Sequence, residues 1–140
     1  PIGAFSASSS LMKKLELNPK LGHITTFGGN PVIAASALAT LKEIDDSEII
    51  NKIADKEKLF REHLVNPKIK KIQGKGLMLA PIFKNDKIPN YLVHQCLKKG
   101  LLLFWLLWEK NAVRISPPLT ILEEEIIQGC KIISDTLDEI

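Results

Sequence analysis

Within nine residues, His23-Ile-Thr-Thr-Phe-Gly-Gly-Asn-Pro31 combines a hydroxyl, a glycine pair and a helix start. Glycines leave backbone N–H groups accessible, a helix N-terminus is partly positive, and Thr26 adds a hydroxyl donor, so the segment suits an anion such as phosphate. The same residues also make a plain Gly-Gly loop entering a helix, with Asn30 as N-cap and Pro31 at the first helical position. A second segment, Ala112-Val-Arg-Ile-Ser-Pro-Pro-Leu-Thr120, sets Arg114 among Val113, Ile115 and Leu119, ahead of a rigid Pro-Pro turn. A guanidinium in such company must point outward or be paired, because burying it alone is costly. A small-molecule carboxylate would grip its planar fork through two hydrogen bonds, and an internal ion pair with Glu123 or Glu124 would satisfy it as well.

The elements that must position these residues can be read along the chain. Ile2 to Ala7 is expected to form a short buried strand, and Ser8, Ser9 and Ser10 to cap a short helix over Leu11–Leu15. Asn18-Pro19, Gly22 and Gly28-Gly29 mark a loop. A helix from Pro31 is rich in small residues and breaks near Asp45-Asp46-Ser47. A second helical stretch, with Ile49, Ile50, Ile53, Phe60 and Leu64 on its apolar side, ends at Asn66-Pro67. The period then changes. Ile69–Ile72 and Leu77–Phe83 read as strands about Gly74-Lys75-Gly76, the second at a sheet edge because of Pro81. Pro89–Lys99 reads as a helix closed by Gly100. Leu101–Trp108 and Ala112–Ser116 read as strands around the turn Glu109-Lys110-Asn111. The last helix is expected to start at Thr120 in a capping box with Glu123, and to bury Ile126, Cys130, Ile133, Leu137 and Ile140. The order β-β-α-β-β-α predicts an α+β domain with helices on one face of a mostly antiparallel sheet. The expected division is 1–45, the edge of a larger domain with the start of a connecting helix, and 46–140, a small C-terminal domain.

Composition bounds the function classes. With 140 residues and 45% apolar and 25% charged residues, the chain can bury a core without a metal or disulfide. A net charge of +3, with lysines scattered over helices, argues against a nucleic-acid partner. The longest apolar run, Leu101–Trp108, is far short of the ~20 residues that span a bilayer. No signal peptide is evident, so the expected location is the cytoplasm. Cys96 and Cys130 have no metal-ligand spacing and read as buried, reduced thiols. His63 and His94 are expected on helix surfaces, Lys75 in a solvated turn, and Phe104 and Trp105 in the core or lining a substrate cleft. The start at Pro1, directly followed by an apolar stretch, reads as a truncation.

Five segments in order resemble the class III aminotransferases of fold type I, the group of acetylornithine, ornithine, lysine and 4-aminobutyrate aminotransferases. They are Pro1-Ile-Gly-Ala-Phe5, Thr26-Phe-Gly-Gly-Asn-Pro31, Gly74-Lys-Gly-Leu-Met78, Lys99-Gly-Leu-Leu102 and Val113-Arg-Ile-Ser-Pro-Pro-Leu-Thr120. The resemblance implies pyridoxal 5'-phosphate as cofactor and the transfer of an amino group between an amino acid and a 2-oxo acid. Residue by residue, it implies that Thr26 donates its hydroxyl to the cofactor phosphate, usually that of the partner subunit, so a homodimer is expected. Gly28, Gly29 and Asn30 would shape that loop, and Arg114 would hold the substrate α-carboxylate. The lysine that forms the Schiff base with the cofactor is expected a few residues ahead of Pro1, and none of the lysines present matches it. The 140 residues alone are therefore expected to be inactive. A non-catalytic α+β ligand-binding or regulatory module is the alternative from another class. A decarboxylase or aminomutase of the same fold is also consistent with these residues.

Overall fold

The computed structural model describes residues 2–20 and 22–140, and the chain divides into two units, Pro1–Ser47 and Glu48–Ile140. In the first, α1 (Ser9–Met12) runs into a 3-10 turn over Lys13–Leu15. The Ser8 hydroxyl lies 3.0 Å from that of Ser10 and does not cap the helix. The main element is α2 (Pro31–Asp46), which starts as the sequence predicts. The Asn30 carboxamide accepts from Val32 N–H at 3.0 Å and Ile33 N–H at 3.3 Å, while Pro31 has no N–H to satisfy. The helix stops at Ser47, where both the backbone N–H and the hydroxyl turn back to the Glu43 carbonyl. The expected strand over Ile2–Ala7 is not formed. These residues are exposed and unpaired in the described chain, and an apolar run becomes a strand only where another backbone supplies its rungs. No described residue of this unit is buried.

The second unit holds the core. After a left-handed residue at Glu48 (φ 53°) and a 3-10 turn over Ile49–Lys52, α3 (Ile53–His63) buries Phe60. Then β1 (Lys71–Lys75) and β2 (Met78–Ile82) form an antiparallel hairpin in the register Lys71↔Ile82 to Lys75↔Met78. The turn requires glycine at Gly74, whose φ is 106° and where a Cβ would lie 1.9 Å from the Met78 carbonyl oxygen. Next comes α4 (Lys87–Lys98). It ends in a Schellman motif: Leu101 N–H reaches the Cys96 carbonyl at 2.8 Å and Gly100 N–H that of Leu97 at 3.1 Å, with Gly100 at φ 83°. Two short strands, β3 (Phe104–Trp105) and β4 (Val113–Arg114), pair antiparallel, and α5 (Glu123–Asp138) closes the chain. Its buried residues Ile126, Cys130, Ile133 and Leu137 pack with Phe60 and Leu64 of the α3 region, Leu79 and Phe83 of the β2 region, Leu92 of α4 and Val113 of β4. The class is α+β, as expected.

Four local readings are corrected. Strand β3 covers two residues of the apolar run Leu101–Trp108, and Trp108 is 96% exposed. Helix α5 starts at Glu123, so Thr120 does not cap it; instead the Glu125 carboxylate accepts from Leu122 N–H at 2.9 Å. Ile140 lies outside the seam, 45% exposed. Pro81 is fully buried and not at an edge, because β2 pairs with β1 on one side and bridges through Leu79↔Ile115 and Ile82↔Ala112 on the other. The pyrrolidine sits between the rungs Leu79 N–H to Ile115 O (2.9 Å) and Phe83 N–H to Asn111 O (2.8 Å). Having no N–H to donate there, it interrupts the β2–β4 ladder and leaves isolated bridges.

Cys96 and Cys130 are free and buried, as the sequence predicts. Burial alone pushes the Cys130 thiol up to about 11, and burial is also the main cause that raises Cys96. Among the described residues no helix is long and apolar enough to cross a membrane.

Candidate functional site

Thr26 lies at the start of the turn that feeds α2. That turn is closed by Gly28 N–H to Thr25 O and Asn30 N–H to Phe27 O, both 3.1 Å. A Cβ on Gly28 would meet the Thr25 hydroxyl at 3.0 Å and its carbonyl at 3.3 Å, and Gly29 adopts φ 72°. The left-handed backbone favours glycine at Gly29, and the close approach of Thr25 favours a residue without a side chain at Gly28. The helix end is less open than the sequence suggested. Asn30 already occupies the N–H groups of Val32 and Ile33, and Pro31 has none. The donors left for an anion are the Thr26 hydroxyl, which has no protein partner among the described residues, and loop N–H groups such as that of Gly29. With no acidic residue between Gly22 and Asn30, this donor set fits a phosphate. His23 is engaged elsewhere, its Nδ1 lying 3.1 Å from the Leu15 carbonyl oxygen.

In the second unit, Arg114 follows from strand alternation. Val113 and Ile115 are buried, so Arg114 between them faces away from the core and is exposed. The segment that follows it is anchored twice. Ile115 and Leu79 exchange backbone hydrogen bonds of 2.8 and 2.9 Å, and the Lys56 ammonium donates to the Leu119 carbonyl at 2.7 Å. Neither Glu123 nor Glu124 pairs with Arg114, and among the described residues no carboxylate lies within 4.0 Å of it. Its neighbour is aromatic: Cζ lies 5.0 Å from the centroid of Phe104, the residue directly opposite on β3. The guanidinium opens on a cavity of about 230 Å³ lined by Phe60, Leu101–Phe104, Ile115–Pro117, Ile121, Glu125, Gly129 and Ile133. An unpaired guanidinium at such a cavity can hold a carboxylate through two parallel hydrogen bonds.

A family model described as "Aminotransferase class-III" matches residues 1–137. The chain belongs to the class III aminotransferases. It is 35% identical over its whole length to an acetylornithine aminotransferase of Caldanaerobacter subterraneus, of which it covers 35%. It is 32% identical, again over its whole length, to a putrescine aminotransferase of Pectobacterium atrosepticum, of which it covers 31%. Among solved structures, an aminotransferase of Bacillus anthracis superposes with a TM-score of 0.76 at 27% identity, over 86% of this chain and 31% of that one. An acetylornithine aminotransferase of Elizabethkingia anophelis gives 0.72 at 31% identity, over 84% and 31%. The chain thus spans about a third of the length of the relatives it matches. The family is one of pyridoxal-phosphate enzymes.

Sequence reasoning weighed Phe104 between core and cleft. The structure puts it, 45% exposed, in the cavity wall under Arg114. It missed the pairing of the two, which depends on the β3–β4 register, and it missed Glu57 and Arg61, which fasten the hairpin turn to α3. The i, i+4 spacing of an acid and an arginine on a helix was the available signal.

Proposed function

We propose that the protein carrying this chain transfers an amino group between an amino acid and a 2-oxo acid, with pyridoxal phosphate as cofactor. Acetylornithine, ornithine and related ω-amino acids are the favoured donors. Thr26 gives its hydroxyl to the cofactor phosphate, in a homodimer that of the partner subunit, and Gly28, Gly29 and Asn30 hold the loop. Arg114 binds the α-carboxylate and so fixes the reacting C–H bond relative to the cofactor. The bound cofactor supplies the electron sink, and these residues supply position and charge. The observation that carries the reading is an exposed Arg114 with no internal carboxylate, opening on a largely apolar cavity. Similarity to a putrescine aminotransferase brings diamines into the donor class, and with a diamine Arg114 serves the carboxylate of the 2-oxo acid. The lysine that anchors the cofactor belongs to sequence ahead of residue 1, so the 140 residues alone do not transaminate.

The test is a visible absorption spectrum taken after incubation with pyridoxal phosphate and dialysis. The protein with its preceding sequence retains a cofactor band that changes on adding ornithine or acetylornithine, and the 140-residue chain retains none. Arg114→Met in the longer protein lowers kcat/KM for amino-acid donors roughly 10- to 100-fold, the loss expected of a charge-assisted pair. A longer protein that keeps no cofactor would sink the whole reading. An unaltered kcat/KM in Arg114→Met would remove Arg114 from it.

A further inference from the structure

Arg114 is a long, flexible side chain on a strand of two residues, and among the described residues no carboxylate holds it. A side chain that free loses rotamer entropy on binding and grips a ligand weakly. Its orientation comes instead from β3. Phe104 is its directly opposed cross-strand partner, and the guanidinium lies over that ring at 5.0 Å, within reach of a cation–π attraction. Strand β3 is itself short and needs an anchor. Trp105 supplies it: its indole N–H donates to the Asn90 carboxamide on α4 at 3.0 Å. Its ring meets His94 of α4 edge-on at 5.6 Å and Phe104 at 5.6 Å and 74°. Neither Trp105, Asn90 nor His94 lines the cavity.

We propose that Phe104 is a positioning residue that holds Arg114 over the cavity, and that Trp105 and Asn90 hold Phe104 in place by fixing β3 to α4. The inference rests on the reading of Arg114 as the carboxylate-binding residue. Phe104 itself need not touch the substrate: its planar π face sets where the guanidinium fork points, and the fork does the binding.

The test uses the enzyme that includes this chain, with steady-state kinetics on an α-amino-acid donor. Phe104→Leu keeps an apolar side chain and removes the π face; it raises KM roughly 3- to 10-fold with kcat within about twofold. Phe104→Tyr, which keeps the face, restores the wild-type KM. Asn90→Ala, at an exposed position outside the cavity, raises KM about 2- to 3-fold. In an Arg114→Met background the Phe104→Leu change adds nothing further to the loss of kcat/KM, because the effect passes through the arginine. Equal losses from Phe104→Leu in both backgrounds would overturn positioning in favour of direct substrate contact. A wild-type KM in Phe104→Leu, with Arg114→Met impaired, would overturn positioning and leave the carboxylate reading intact. If Arg114→Met is itself unimpaired, the carboxylate reading falls and positioning with it. Circular dichroism checks that each variant folds, and should Phe104→Leu fail to, a wild-type KM in Asn90→Ala overturns the proposal.

Discussion

Arg61 and Glu57 divide between them the polar groups of the β1–β2 turn. The guanidinium donates to the Ile72 and Gly74 carbonyls at 2.9 and 3.0 Å and to the Glu57 carboxylate at 2.9 Å, whose other oxygen accepts from Gly76 N–H at 2.5 Å. The Gly76 N–H, and after it Arg61, hold the Glu57 carboxyl below its ordinary value. A lowered folded value means that the ionised form favours the fold. Its contribution is full above the unfolded value of about 4.3 and disappears as pH falls through the lowered one. In urea unfolding the gap between wild type and Glu57→Gln is therefore largest at pH 6 and shrinks towards pH 3; a gap that stays constant would refute the coupling. Gly74 carries a different constraint. Alanine there would put a methyl into the Met78 carbonyl at a φ of 106°, so Gly74→Ala is expected to cost about 2 kcal/mol or more. A loss under about 0.5 kcal/mol would mean that the turn relaxes freely.

At the scale of elements, legibility followed how local the cause is. The start of helix α2 was readable to the residue because Asn30 and Pro31 set it by short-range chemistry. Asn30→Ala should accordingly speed amide exchange at Val32 and Ile33, costing the cap about 1 kcal/mol; unaltered exchange would show that the cap is idle. The seam of α5 was equally plain, since Ile126, Cys130, Ile133 and Leu137 repeat at helical spacing. Its start was misread because Thr120 and Glu123 match a full capping box, whereas the cap that forms uses only a carboxylate, that of Glu125 on Leu122 N–H. The strands were least legible. Leu101–Trp108 is apolar throughout, so nothing in its period says that only Phe104 and Trp105 pair. Pro81 looked like an edge because a missing donor is usually left to solvent, whereas here it is left between two backbones. At the candidate site the same rule holds. Arg114 stood out in the sequence for its apolar neighbours and the Pro-Pro turn, and its carboxylate role came from the family resemblance, while its contact with Phe104 exists only in the folded register.

Over the whole molecule, burial is unevenly shared. The core lies in Glu48–Ile140, while Pro1–Ser47 leaves Phe5, Phe27, Val32 and Leu41 more than half exposed. Surface of that kind in a stable protein is normally covered, and a segment without a core opens at little cost. Limited proteolysis of the 140-residue chain should therefore cut first within residues 2–47 and leave a resistant product starting near Glu48, identified by mass spectrometry. First cuts inside α3 to α5 would contradict this. The placement of the two tryptophans has a use of its own. Trp108 stands almost wholly in water, whereas Trp105 is partly enclosed, bonded to Asn90 and in ring contact with His94 and Phe104. Replacing the exposed indole by phenylalanine leaves Trp105 as the one tryptophan, seated one residue from the aromatic ring beneath Arg114. The chain so altered carries its own optical reporter, and the colour of its emission follows events at that arginine without any attached dye.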